Sequence, residues 1–434
     1  MKKRNYILIL IIFLSACSNN TSSSVNFISS AEVETDQGNS AVVDTVPEDD
    51  FLNETLNGKP DFCKIPVRTN SSTSVGFPLS ENRINNKGIV NVQVIFLDFP
   101  DLVGTRTKEQ LLDFIDIYKT GVNDFFENQS QNRVSFNWRI YTDFIRIPDM
   151  LSSLNLKREY IYAADDVDKV LRKGIAISDP VIDYSNIDMV IVVINPDIPY
   201  ELADISPAWP LIDPWGIKTD EKTIYNGTFL ASNAFNSDGH AIVSHEIGHL
   251  FGLADLYKYD WLEDNPTSDY NKVFQYVGVF DFMSFAFIHY SKGDNRDMLG
   301  WQKWQLNWIE DEQVVCLDAN KPIETKYSLN PVSDLVNGNK MIVVKFSENK
   351  VLVLEKRSKN KHCQLCSGGI YAYTVDSTID GGKGPIKIIR PTNSKMELFE
   401  DSFIIQDQEL TFENIKFKVI NTNNEETEIS LIIE

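Results

Sequence analysis

Apolar and polar positions repeat along this chain with several different periods, and each period predicts a different kind of element. Ile89–Phe99 is apolar on both alternating faces, as expected for a strand buried in the middle of a sheet. Met189–Ile194 reads the same way, entered from Asp188 and left through Asn195-Pro196. Val134, Phe136, Trp138 and Ile140 alternate with Ser135, Asn137 and Arg139, which predicts a strand with one wet face. Thr107 and Gln110 have the spacing of a capping box. Behind them Leu111, Ile115, Tyr118, Val122 and Phe126 recur at helical intervals, predicting a helix that runs to about Asn128. A second helix is predicted over Asn155–Lys173.

From about Asp311 the pattern changes to short apolar runs between Asn, Asp and Gly turns. These are Met341–Phe346, Val351–Lys356, Ile370–Val375, Ile386–Ile389, Phe412–Val419 and Glu428–Ile433. They predict a β-sandwich of roughly 120 residues that supports the rest or orients substrate. The whole therefore reads as α+β, with a mixed domain over residues 61–310 and an all-β domain over 311–434.

Two stretches lack a period. Ser18 to Pro60 is rich in Ser, Asn, Thr, Asp and Glu, and residues 17–60 read as a flexible tether or a short propeptide. Asp197–Asn236 carries Pro199, Pro207, Pro210 and Pro214 with Trp209 and Trp215. So long a proline-rich stretch inside a domain is usually functional, and here it precedes the helix that carries the chemistry. Within it Thr228–Ser232 is either a loop or an edge strand along which an extended peptide can lie.

The first residues alter the expected location. Lys2, Lys3 and Arg4 precede the apolar run Tyr6–Leu14, which is too short to span a bilayer, and then Leu14-Ser-Ala-Cys17. This resembles a bacterial lipobox, implying a signal peptide over residues 1–16 and a lipid anchor at Cys17. The mature protein is then extracytoplasmic and tied to a bacterial membrane. The net charge of −21 repels nucleic acid, which argues against DNA or RNA as a partner. The other cysteines, Cys63, Cys316, Cys363 and Cys366, are even in number, as disulfides in an exported chain require. Three pairings exist, of which Cys63–Cys316 with the tight Cys363–Cys366 loop is preferred. A metal knuckle or redox site at His362-Cys363-x-x-Cys366, and a latency thiol at Cys63, are the alternatives.

The chemistry is concentrated in Ala241–Tyr257, AIVSHEIGHLFGLADLY. His245 and His249 share one helical face and can offer two imidazoles to one metal ion. Glu246 projects beside that ion without coordinating it, where a general base stands. A catalytic zinc needs a third protein ligand. Gly252 can end the helix in a left-handed turn, and Asp255 then returns toward the metal. Val243, Ile247 and Leu250 form the opposite, core-facing side. Asp238 is the expected cap, and His240 falls on the surface, off the ligand face.

The spacing His-Glu-x-x-His-x-x-Gly-x-x-Asp resembles that of the metzincin zinc peptidases, and most of all the immune inhibitor A group of bacterial metallopeptidases, which carries aspartate at the last position. Val92–Asp101 is similar to that family's first strand, Gly278-Val-Phe-Asp-Phe-Met283-Ser to its Met-turn, and Leu299-Gly-Trp301 with Leu306-Asn-Trp308 to the segment after it. Val351–Arg357 and Gly369–Val375 are similar to its later strands. The resemblance implies a zincin catalytic domain, a twisted sheet with an active-site helix, and Met283 as a floor beneath the histidines. It also implies a monomeric zinc endopeptidase acting on proteins or peptides. Some relatives place a transition-state-stabilising tyrosine two residues after the methionine. Here that residue is Phe285, so Tyr257, His289 and Tyr290 are the candidates for that role. Asp294, Asn295 and Asp297 form either a calcium site or a solvated acidic turn. The rival reading is a surface-binding or adhesin lipoprotein that keeps the fold without turnover.

Overall fold

In the computed structural model, residues 59–154, 156, 163–198, 208–211, 215–231, 239–259, 270–284, 296–396 and 398–434 are described. The first half runs β1 (Gly88–Asp98), α1 (Lys108–Gln129), β2 (Val134–Arg146), α2 (Ala163–Ser178), β3 (Met189–Ile194), β4 (Ala208–Leu211), β5 (Ile217–Lys218), β6 (Thr223–Ile224), β7 (Gly227–Leu230) and α3 (Gly239–Leu250). After α4 (Gly300–Gln305) come β8 (Val314–Asp318), β9 (Ile323–Leu329), β10 (Met341–Lys345), β11 (Lys350–Lys356), β12 (Ile370–Asp376), β13 (Ile386–Ile388), β14 (Glu409–Phe412), β15 (Ile415–Thr422) and β16 (Thr427–Ile433). Mixed elements followed by strands alone make an α+β architecture.

The first sheet has the order β2-β1-β3-β7-β4, parallel except for β4, which runs antiparallel to β7 at the edge. Strand β1 is apolar on both sides because both sides are covered. Val90, Val92, Val94 and Phe96 enter one core with α1 and α3, while Ile95 and Leu97 enter a second core with α2. Helix α1 starts at the expected capping box, in which Thr107 and Gln110 exchange side-chain and backbone bonds. Its Gly121 lets α3 come close, since a Cβ there would meet that of His240 at 2.6 Å. His240 is thus half-buried between the two helices.

Two expectations for this sheet are corrected. Thr228–Ser232 is not the edge: Gly227–Leu230 is an interior strand, fully buried, with β3 on one side and β4 on the other. The edge is β4, inside the proline-rich stretch and packed against α3. Helix α2 runs to Ser178, beyond the expected Lys173, and residues 155 and 157–162 of the expected helix lie outside the described residues.

The later strands form two sheets, β13-β12-β11-β10-β8 and β14-β15-β16-β9, which share an apolar core. The first of these is buried on both faces. Met341, Val343, Val351, Val353, Tyr371 and Tyr373 join the core of α1 and α3, and the alternate residues Ile342, Val344, Leu352, Leu354 and Ala372 face the other sheet. The change of pattern near Asp311 is thus a change of element within one continuous core. The expected strand Phe412–Val419 is a hairpin, β14 and β15, that turns at Glu413-Asn414, with Glu413 at φ 54°.

Residues 59–87 strap the two halves together. Cys63 is disulfide-bonded to Cys316 of β8, and Cys363 to Cys366. Three fully buried tryptophans hold the strap and its surroundings by their indole N–H groups. Trp301 donates to the Val75 carbonyl at 2.8 Å, Trp308 to that of Asn86 at 2.7 Å, and Trp304 to Asp311 Oδ1 at 2.8 Å.

Candidate metal centre

Helix α3 is apolar around most of its circumference, and residues 241–250 are all buried. It ends in a Schellman motif: Gly252, at φ 101°, donates to the His249 carbonyl at 2.9 Å, and Leu253 donates to that of Gly248 at 3.0 Å. The left-handed residue reverses the chain and sends Leu253–Tyr259 back along the helix as an irregular ribbon, with Asp255 against His249 and His245 and Tyr257 against His245. Asp255 rides on that ribbon.

Three side chains then converge. His245 Nε2 lies 2.9 Å from Asp255 Oδ1, and His249 Nε2 lies 3.3 Å from the same oxygen. One ligand atom from each of the three fits within a 4.8 Å cluster. Each ring is aimed by its other nitrogen. His245 Nδ1 meets the Phe282 carbonyl at 2.9 Å and His249 Nδ1 the Leu253 carbonyl at 2.9 Å. A carbonyl only accepts, so both Nδ1 atoms carry protons and both Nε2 atoms present lone pairs. Asp255 Oδ1 is buried and has no hydrogen-bond donor among the described residues.

Three lone-pair atoms in one buried spot require a positive charge between them. Burial opposes ionising His249, yet Asp255 holds it up at about 9. Burial likewise opposes a charged Asp255, and the two rings still hold its carboxyl well below the usual range. A proton or a metal ion satisfies the trio, and two imidazoles with one carboxylate are a donor set suited to zinc.

Glu246 is 4 % exposed and close enough to feel all three charges. Burial raises its pKa, partly offset by the histidines, and its Oε2 has no hydrogen-bond partner among the described residues. Such an oxygen is one partner short, which a substrate water can supply.

The floor of the site is the turn Asp281–Ser284. Met283 N–H donates to Asp281 Oδ1 at 2.7 Å, and the Met283 carbonyl accepts from Leu256 of the ribbon at 2.8 Å. Met283 is fully buried, and any Cβ on Gly248 would clash with its sulfur. The methionine therefore touches the helix turn between the two histidines. Tyr257 is partly buried with its ring 6.0 Å from that of His245.

Behind the turn lies a buried ionic cluster that no motif announced. The Arg357 guanidinium donates to Glu355 Oε1 at 3.0 Å, to the Phe280 carbonyl at 2.8 Å and to that of Met298 at 3.3 Å. It also lies 3.5 Å from Asp297 Oδ2. Asp297 is 1 % exposed, so it is not part of a solvated turn. Burial opposes its ionisation, but Arg357 and Lys303 hold it at about 2. Asp281 is pushed by burial up to about 7, against backbone N–H bonds from Leu299 and Met283.

His245, Glu246, His249, Asp255, Tyr257 and Met283 thus lie together, and the four described cysteines lie elsewhere in two disulfides, so Cys63 brings no thiol to the metal. Cys17, Asp238, Phe285, His289, Tyr290, Asp294 and Asn295 fall outside the described residues. The residues missed in the sequence are Tyr259, Phe282 and Gly382, which act on the ligands through contacts that no local spacing encodes. No family model matches the chain, and no curated protein matches it.

Proposed function

We propose that this chain is a zinc-dependent endopeptidase with a metzincin-like catalytic region, resembling the immune inhibitor A group. The observation that carries this reading is the convergence of His245 Nε2, His249 Nε2 and Asp255 Oδ1, with Glu246 beside them, its Oε2 without a hydrogen-bond partner among the described residues. The same donor set also serves iron(II) in oxygenases. A buried carboxylate next to the ligands, with Oε2 unbonded among the described residues, favours hydrolysis, because it gives proton transfer a carrier.

A bound zinc ion supplies Lewis acidity, polarising a scissile carbonyl and making a water more acidic. Glu246 takes the proton from that water and later delivers it to the leaving amine. The Phe282 and Leu253 carbonyls keep both imidazoles in one tautomer throughout. Strand β4, the edge of the sheet beside α3 among the described residues, receives an extended peptide by backbone hydrogen bonds, and Pro210 withholds one N–H from that ladder.

The reading includes export and lipid anchoring through Cys17, which rest on the sequence. No helix among the described residues is long and apolar enough to cross a membrane. The reading also includes a monomeric state and protein or peptide substrates, and a calcium site remains an element of the sequence proposal alone.

The test compares the purified wild type with Glu246→Gln for zinc content and for cleavage of casein and gelatin. Both should carry zinc, with cleavage lowered on the order of 100- to 10,000-fold in the variant. Equal cleavage by the two would remove Glu246 from the mechanism. Zinc in both with cleavage by neither would favour the surface-binding protein.

A further inference from the structure

We propose that Tyr259 is a positioning residue for the metal: its hydroxyl, braced by a glycine loop from the second sheet, holds Asp255 so that Oδ1 alone is offered as a donor. This rests on the metal-site reading above and extends it to the third ligand.

A carboxylate has two oxygens, and either or both can bind a cation. In Asp255 they are already assigned different tasks. Oδ1 faces the two Nε2 atoms, and Oδ2 accepts a hydrogen bond from the Tyr259 hydroxyl at 2.5 Å. Tyr259 itself is 51 % exposed, so burial does not explain why its hydroxyl points inward. The explanation lies in the loop between β12 and β13. Gly382 N–H donates to the Asp255 carbonyl at 3.0 Å, and Tyr259 N–H donates to the Gly382 carbonyl at 3.1 Å. Gly382 has φ 70° and lies directly under the tyrosine ring, where any Cβ would overlap it. A Cβ on Gly381 would come within 3.3 Å of the Asp255 nitrogen. On its other side the ribbon is bonded from Leu256 to Met283 and from Lys258 to Val273. The backbone carrying Asp255 is thereby clamped from both sides, and the ring is seated on a surface only glycine can provide.

A carboxylate freed of this bond can rotate or offer both oxygens, and partners that orient metal ligands typically contribute tenfold to a hundredfold in affinity. The second sheet is therefore part of the metal centre's scaffold.

The experiment measures zinc affinity by chelator competition, the visible spectrum of the cobalt(II)-substituted protein, and thermal unfolding in chelator. It is run on the full chain as wild type, Tyr259→Phe and His249→Ala. The expected result for Tyr259→Phe is zinc affinity lowered at least tenfold and a shifted cobalt band, with metal-free unfolding unchanged. His249→Ala should lose binding far more severely. Wild-type affinity and spectrum in Tyr259→Phe, with binding lost in His249→Ala, would overturn the role of Tyr259 and leave the site standing. Early unfolding of Tyr259→Phe in chelator would show a packing role and also overturn it. Absence of zinc binding by the wild type would remove both the site and this proposal.

Discussion

Arg357 offers the sharpest energetic test, because its charge is entirely enclosed. The side chain is 0 % exposed, as is that of Glu355, and that of Asp297 is 2 % exposed. Arg357→Met keeps most of the aliphatic stem and removes the guanidinium. Two buried carboxylates then lose their cation, and the Phe280 and Met298 carbonyls lose a donor. Breaking a buried ion pair from one side costs about 3–5 kcal/mol. Unfolding entropy near 60 °C is about 2.1 cal/mol/K per residue, or about 0.7 kcal/mol/K for the roughly 330 described residues. The melting temperature should accordingly fall by about 4–7 °C. Calorimetry in excess chelator measures this without the contribution of bound metal. Replacing Asp297, Glu355 and Arg357 together by apolar residues of matching volume should cost less than the single change, since no charge is left stranded. A melting temperature for Arg357→Met equal to or above that of the wild type would refute the reasoning.

Other outcomes follow from packing, chain entropy and proton linkage. Gly248→Val should cost about 1–3 kcal/mol in urea unfolding by overpacking against Met283, and adding Met283→Ala should restore part of it. Cys63→Ser with Cys316→Ser opens a bridge whose ends are 253 residues apart, for which chain entropy predicts a loss of up to about 5 kcal/mol, readable as a lower urea midpoint. Lys340 is lowered by burial from 10.5 to about 8. Below pH 8 both states hold its proton and the fold bears the full penalty. Between 8 and 10.5 the folded state releases the proton first, so stability rises with pH. The stability difference between wild type and Lys340→Met should therefore move in favour of wild type from pH 7 to pH 10, and a flat difference would contradict the shift.

What could be read from the sequence was whatever is encoded over one or two helical turns. His245, Glu246 and His249 define one face, Gly252 breaks the helix, and Thr107 with Gln110 starts another; each depends on neighbours a few residues away. Strand β4 was hidden because Pro210 argues against a strand, although an edge tolerates a missing N–H. The β14–β15 hairpin was hidden because its turn, Glu413-Asn414, has no glycine to mark it. Glu355, Lys356 and Arg357 close an apolar strand and look like its wet end, yet all three are buried, because their respective partners Gly300, Asn423 and Met298 come from distant segments. Tyr259 was invisible for the same reason, since the loop that aims it follows β12.

The bond between Cys63 and Cys316 also fixes what a cut before Lys59 would leave behind. Such a cut falls outside the loop that the disulfide closes, so the new amino end stays pinned to the second sheet within a few residues of the break. Under the proposed lipid anchoring, release from the membrane would then leave the strap and the sheet it crosses in place.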